Sequence, residues 1–308
     1  MLKTRWVCVV LMLAAVQSVP AAPAEWGQLI ARRESLYNTI FVYQQGSVVT
    51  LRFGRRAAVP IQSQVDLNNL REHQLEYTEL AFCGLLYVPE PNSILVLGLG
   101  GGVIPRELRY YYPEAVIDVV EIDEAILPLA KQYFAFAEDE KMKVFIDDGR
   151  MFIKKQLRGP HPPQYDLIIL DAFNGDYIPF HLMTREFLEE VRRILSPRGV
   201  VAANVFFDNQ LFDAEWATFL AVFGRCEVFL GRFSGNAILL SGGSQVQMPS
   251  AAELLERARR LQEQRKFAFS LPAVAQCIMP DLKPDSQALV LTDDRAPVDW
   301  LRQQRRGD

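Results

Sequence analysis

A chain of 308 residues, 50% of them hydrophobic, can bury one large core or a core with a small appended unit. Charged residues make up 23% and the net charge is −4, a balance that gives no basis for a nucleic-acid partner. Beyond Cys8, the cysteines Cys83, Cys226 and Cys277 are scattered and odd in number, and His73, His161 and His181 are dispersed, which argues against a disulfide framework and against a metal site.

The first 24 residues differ from the rest. Lys3 and Arg5 precede an apolar stretch at 6–16, and Ala22-Pro23-Ala24 offers a small-residue cleavage site before Glu25. This is the layout of a secretory signal, too short for an ordinary transmembrane helix. Export to the periplasm with loss of residues 1–24 is therefore expected, the alternative being an amino-terminal membrane anchor. Residues 25–69 read as a small antiparallel β domain, with β-like pieces at 40–43 and 48–53 and turns at Gln45-Gly46 and Gly54-Arg55. A helix is expected at 70–86, with Leu75, Leu80, Phe82 and Leu86 inward.

Residues 70–245 carry an α/β alternation. Strands are expected at about 93–98, 117–121, 142–146, 165–171 and 199–206, with helices near 104–111, 123–134, 150–157 and 184–195. Strands separated by helices become parallel neighbours through crossovers. Segments 228–230 and 237–240 look like a closing pair of strands, for a mostly parallel Rossmann-like sheet of seven. In the extension at 246–308, Ser250 and Glu253 have capping-box spacing and open an amphipathic helix to about Lys266, whose stripe of Arg257, Arg260 and Arg265 reads as a solvated face. Near the end stands Leu291-Thr292-Asp293-Asp294.

Residues 94–121 say most about function. The apolar run Ile94-Leu95-Val96-Leu97 enters Gly98-Leu99-Gly100-Gly101-Gly102, a helical stretch follows, and a second apolar run ends on Glu121. This strand, glycine loop, helix, strand and acid form the unit that binds an adenosine-containing ligand: glycines admit the ligand to the backbone, and the acid accepts from ribose hydroxyls. Two further strands end in acids, at Asp147-Asp148 followed by Gly149 and at Asp171. Ligands of open parallel sheets lie beyond the carboxyl ends of the strands, so these acids should share one crevice with Gly98, Gly100 and Gly102. Glu121 would take the ribose and Asp148 the adenine amino group, although each acid could also be a helix cap. Val103 stands where a nicotinamide dinucleotide fingerprint prefers its third glycine, which favours an S-adenosyl sulfonium ligand.

Here the residues 34–205 resemble the spermidine synthases, aminopropyltransferases that share the S-adenosylmethionine methyltransferase fold. Glu34-Ser35-Leu36-Tyr37 resembles that family's approach to its small amino-terminal β domain, and Tyr77-Thr78-Glu79 its Tyr-His-Glu element. Gly98 through Glu107 aligns without gaps on its glycine loop, and Asp171 through Thr184 has the length of its catalytic loop, with Leu182 and Thr184 in register. Three departures stand out: Gly101 replaces an aspartate that holds the donor's ammonium, Asn174 replaces a second loop aspartate with Asp176 two residues later, and Thr78 replaces the histidine.

The resemblance implies decarboxylated S-adenosylmethionine, or S-adenosylmethionine, as co-substrate, no tightly bound cofactor, and a putrescine-like amine or polyamine as acceptor; it leaves a homodimer open. It implies direct displacement: an amine nitrogen attacks the propyl carbon on sulfonium and expels 5′-methylthioadenosine. Asp171 would orient the amine and take its proton, with Gln62, Tyr77, Glu79 and Asp176 lining the amine channel. An amine near pKa ~10 faces an ordinary aspartate near ~3.9, so positioning is expected to dominate over proton affinity. Gly101→Asp is expected to shift preference toward the decarboxylated donor. The alternatives are a methyltransferase using the intact donor and a non-catalytic exported protein binding a nucleoside or polyamine.

Overall fold

The computed structural model describes residues 26–54, 61–173 and 178–306. The expected signal at 1–24, the turn residue Arg55, and Asn174 and Asp176 of the loop lie outside the described residues.

The amino-terminal unit is a four-stranded antiparallel sheet in chain order: β1 (Gln28–Glu34), β2 (Thr39–Gln45), β3 (Val48–Phe53) and β4 (Ser63–Asp66). The two inner strands are the pieces read from sequence. The outer two escape such a reading for opposite reasons: β1 is half exposed and rich in charge, whereas β4 has only four residues. Ile40, Val42, Val49, Leu51 and Val65 join the same apolar core as the main sheet, so the small sheet is anchored to it rather than tethered.

The main sheet has seven strands: β5 (Ser93–Leu97), β6 (Val116–Glu121), β7 (Met142–Ile146), β8 (Tyr165–Leu170), β9 (Leu195–Phe206), β10 (Glu227–Leu230) and β11 (Asn236–Gly242). Their order is β10-β11-β9-β8-β5-β6-β7, with β9 through β7 parallel and the last two strands antiparallel at one edge. This is the mostly parallel Rossmann-like methyltransferase fold that the alternation implies. Helices α2 (Val103–Tyr111), α3 (Ile126–Tyr133), α4 (Gly149–Arg158), α5 (Arg185–Ile194) and α6 (Gln210–Phe223) make the crossovers and the link to the antiparallel edge. Side chains alternate across the sheet. Ile94, Val96, Leu167 and Ile169 face the amino-terminal sheet and the helix α7 (Ala251–Arg265), while Leu95, Leu97, Ile168 and Leu170 face the helices α4, α5 and α6.

The helix expected at 70–86 is shorter. Only α1 (Glu76–Leu80) is α-helical, and Ala81–Leu86 continue as a 3-10 helix. All six of those residues are buried, leaving no solvated face, and a side chain on Gly84 would collide with Leu167. Helix α6 was hidden in the sequence by the reverse effect: Asp213 and Glu215 are buried among its apolar residues and blur the period. Ser250 caps α7 through the reciprocal capping box with Glu253. The basic stripe of α7 is not wholly solvated, since Arg257 donates to the Leu86 carbonyl and Arg265 to the Tyr111 carbonyl. Two short helices, α8 (Leu271–Ala275) and α9 (Val298–Gln303), complete the extension.

The tail returns to the sheet's functional end. Asp293 accepts from both terminal nitrogens of Arg150, at 2.7 and 2.8 Å, and from Thr184 at 2.7 Å. Arg150 also pairs with Glu190 and donates to the His181 carbonyl. The guanidinium is buried, so losing it strands two carboxylates, whereas Asp293 is partly exposed and water can replace it in part. Chemical denaturation should show Arg150→Ala destabilised by about 3–5 kcal/mol and Asp293→Ala by about 1–2 kcal/mol. Equal losses would remove Arg150 as the centre of the cluster.

Candidate active site

The strand order reverses between β5 and β8, since the chain fills β6 and β7 on one side before crossing to the other. Open sheets split at such a point, and ligands bind in the gap beyond the strand ends. Here Gly98 follows β5 and Asp171 follows β8. Their backbones are in contact: the Asp171 N–H donates to the Leu97 carbonyl at 2.8 Å, and a Cβ on Gly98 would sit 2.3 Å from the Asp171 carbonyl oxygen. Gly98, with φ 103°, is thus required for closeness as well as conformation.

A cavity of about 580 Å³ opens at this point. The small sheet and its connections supply Asn38, Phe53, Gln62 and Ser63; α1 supplies Glu76 and Tyr77; the strand ends supply Gly98, Gly100, Glu121, Asp148, Gly149 and Asp171. Six carboxylates line it, from Glu76, Glu121, Asp123, Asp147, Asp148 and Asp171, and no lysine or arginine does among the described residues.

Five of these acids have both oxygens engaged by the fold. Glu121 accepts from the Leu99 N–H at 3.0 Å and the Asp123 N–H at 2.9 Å, so it ties the glycine loop to the end of β6. Burial raises its carboxyl pKa, against the lowering effect of those N–H groups. Asp123 accepts from the Ala125 N–H and from Ser35, which fastens the end of β1 to the main sheet. Asp147 takes Lys155 and the Asp148 N–H. Asp148 caps α4 through the Met151 N–H at 2.9 Å and holds His181 Nε2 at 2.8 Å; that His181 bond is the main reason its carboxyl lies below the usual range. Glu76 grips the turn between β10 and β11 through the N–H groups of Arg232, Phe233 and Ser234. Burial alone would raise its carboxyl, but those three donors together carry it below the ordinary value.

Asp171 is different. Only Oδ1 is engaged, by Asn204 Nδ2 at 2.8 Å, and Oδ2 has no partner among the described residues. Burial pushes its carboxyl up to about 7, assisted by the negative charge of Glu121 and opposed by the Asn204 bond. The expectation of an ordinary, weakly basic aspartate is therefore corrected: the low-dielectric crevice gives Asp171 a proton affinity suited to work near neutrality. Tyr77 donates to the Gln62 carbonyl at 2.8 Å, and burial raises its phenol well above the usual value.

Not every residue singled out from the sequence meets the cavity. Gly98, Gly100, Glu121, Asp148, Gly149, Asp171, Gln62 and Tyr77 line it. Gly102 opens α2 and packs toward Phe136, and Glu79 is half-buried outside the cavity wall, where Glu76 stands instead. One helical turn separates the two glutamates, and the sequence alone did not show which would face inward. Asn204, Asn236 and His181 were missed. The first carries a legible signal, as a polar residue inside the apolar run Val200–Phe206, and the second opens the apolar run of β11.

The fold and this crevice define a Rossmann-like protein with an acidic cavity at the strand ends. Residues 74–228 match the spermine/spermidine synthase domain. A polyamine aminopropyltransferase of Vibrio vulnificus is 34% identical over 299 residues, which are 95% of this chain and 98% of that one. The chain belongs to the spermine/spermidine synthase family. Human methyltransferase-like protein 13, solved in complex with SAH, is 29% identical and superposes with a TM-score of 0.56 over 70% of this chain and 98% of that chain. A probable spermidine synthase from Corynebacterium glutamicum shares the fold at 21% identity, with a TM-score of 0.63 over 82% of this chain and 96% of that chain.

The glycine loop corrects one expectation. A Cβ on Gly101 would lie 2.5 Å from Ser63 Oγ and 2.6 Å from the Phe134 ring, and both neighbours are buried. Position 101 has no room for an acid. Gly101→Asp should destabilise the protein by at least the ~1–3 kcal/mol typical of overpacking, and weaken donor binding rather than retune it. Thermal unfolding with donor titration checks this; an unchanged melting temperature would show that the loop can yield.

Proposed function

We propose that this protein transfers the aminopropyl group of decarboxylated S-adenosylmethionine to a small putrescine-like amine and releases 5′-methylthioadenosine. The carrying observation is the charge of the cavity: six carboxylates and no lysine or arginine on its described walls. Such a wall attracts a sulfonium, an ammonium and a diamine, and it repels the carboxylate of the intact donor. The polyamine aminopropyltransferase relative supports the same reading.

In this proposal Glu121 accepts from the ribose hydroxyls with the lone pairs its two backbone donors leave free, and Gly98 and Gly100 bring the backbone against the nucleoside. The adenine lies on the side of Asp148 and Gly149. Asp171 presents Oδ2 to the attacking amine, between the donor and the wall formed by Gln62 and Tyr77. The amine lone pair forms the new C–N bond while the C–S bond breaks and its electron pair stays on sulfur, now an uncharged thioether. The proton lost by nitrogen passes to Asp171. Charge complementarity orients the amine, and a carboxyl near 7 completes the transfer.

Purified protein should release methylthioadenosine with the decarboxylated donor and one of a panel of amines. Asp171→Asn should lower turnover by roughly 10²–10⁴-fold with little change in nucleoside affinity, the usual range for lost general-base assistance. Because Asp171 must be ionised to accept the proton, kcat/KM of the wild type should rise with pH through about 7. Methyl transfer from the intact donor, without aminopropyl transfer, would replace this reading by a methyltransferase. No product with either donor and any amine would leave a binding protein.

We also infer that the protein is exported, to the periplasm. The support is the sequence of residues 1–24, with basic, apolar and small-residue regions in the order of a secretory signal. Amino-terminal sequencing of periplasmic material should begin at Glu25; intact Met1 in the soluble cytoplasm would overturn export.

A further inference from the structure

Two buried asparagines stand behind Asp171. Asn204 lies on β9 and is 2% exposed; Asn236 begins β11 and is 7% exposed. In the antiparallel register Asn204 faces Ile238, so Asn236, two residues away, is its diagonal neighbour on the same face. Asn236 Nδ2 donates to Asn204 Oδ1 at 2.9 Å, and Asn204 Nδ2 donates to Asp171 Oδ1 at 2.8 Å. Three strand ends are thus joined by one directed chain of side-chain hydrogen bonds.

We propose that Asn236 and Asn204 are positioning residues that hold Asp171 with Oδ1 inward and Oδ2 toward the substrate. The direction of the chain follows from its end groups. An ionised carboxylate only accepts, so Asn204 must turn its NH₂ toward Asp171 and its oxygen toward Asn236. Asn236, donating to that oxygen at 2.9 Å, satisfies the Asn204 amide in the orientation the carboxylate requires. A flipped amide would repel the anion.

The chain has a further effect on acidity. Burial and Glu121 favour the neutral acid, and the Asn204 bond is the one contact that favours the anion. The titratable groups that share the cavity with Asp171 come from every side: Tyr37 before β2, Glu76 and Tyr77 on α1, Glu121 ending β6 with Asp123 beyond it, Asp147 and Asp148 after β7, and His181 beyond β8. None of these is a lysine or arginine, so without the amide chain no fixed cation on the described walls would hold the carboxylate ionised. Both asparagines are buried, where an unpaired amide would be costly, and the side-chain bonds given for them among the described residues are those of this chain.

This inference rests on Asp171 as the proton acceptor, and its test does not require turnover. Carboxyl-carbon NMR of aspartate-labelled protein, with Asp171→Asn to assign the signal, gives the Asp171 titration directly. Asn204→Ala should move that titration upward by about 1–2 pH units, the equivalent of one charge-assisted hydrogen bond, and Asn236→Ala should move it upward by less. The acid limb of kcat/KM should follow in the same order. A purely structural pair of asparagines predicts a lower melting temperature with an unmoved titration, and that result in the folded fraction of either variant overturns the proposal. Asn236→Ala, farther from the crevice, serves if Asn204→Ala does not fold. Moved titrations in a wild type that makes no product would sustain the chain and overturn the amine reading alone.

Discussion

Gly98 and Asp171 meet backbone to backbone where the sheet changes direction, and the site depends on that contact. A side chain at position 98 would drive β5 and β8 apart at their ends. The N–H of Asp171 extends the β5–β8 ladder one residue beyond the strands, which fixes where its side chain emerges. Glu121 then ties the glycine loop to the neighbouring strand end through Leu99. The glycine-loop side and the Asp171 side of the cavity are therefore held by the same few backbone atoms, and neither can shift without the other.

An acidic cavity of this kind destabilises itself in the absence of a cation, because like charges in a low-dielectric space raise one another's proton affinity. The fold offsets this by giving structural work to five of the six acids. They bind loop amides, cap α4, fasten the amino-terminal sheet through Ser35 and clamp the turn between β10 and β11. Asp171 has one committed oxygen and, among the described residues, no partner for the other.

The amino-terminal sheet does more than cover the crevice. Ser63 of β4 and Phe134 after α3 close the space beside Gly101, so the loop carries no acid at that place because the small sheet lies against it. The tail acts from the other side: Asp293 organises Arg150, and Arg150 holds the carbonyl of His181, whose ring pairs with Asp148. Segments on both sides of the glycine loop in sequence, the small sheet before it and the distant tail after it, therefore set the walls around it.

Much of this was legible before folding. Periodicity marked the parallel strands and most of their helices, and the run from Ile94 through the glycines to Glu121, with the serial strand-end acids, located the crevice, because each of these signals is local. The outer strands of the small sheet and helix α6 were not legible, since their burial is created by distant partners and not by their own pattern. The same holds for the choice of Glu76 over Glu79 as a wall residue, and for the commitment of Asp148 to a cap and to His181. Residue type and spacing determined what kinds of groups gather at the strand ends. Which carboxylate keeps a free oxygen, and how strongly it holds a proton, depends on desolvation and on hydrogen bonds from β9 and β11, which exist only once the strands are assembled.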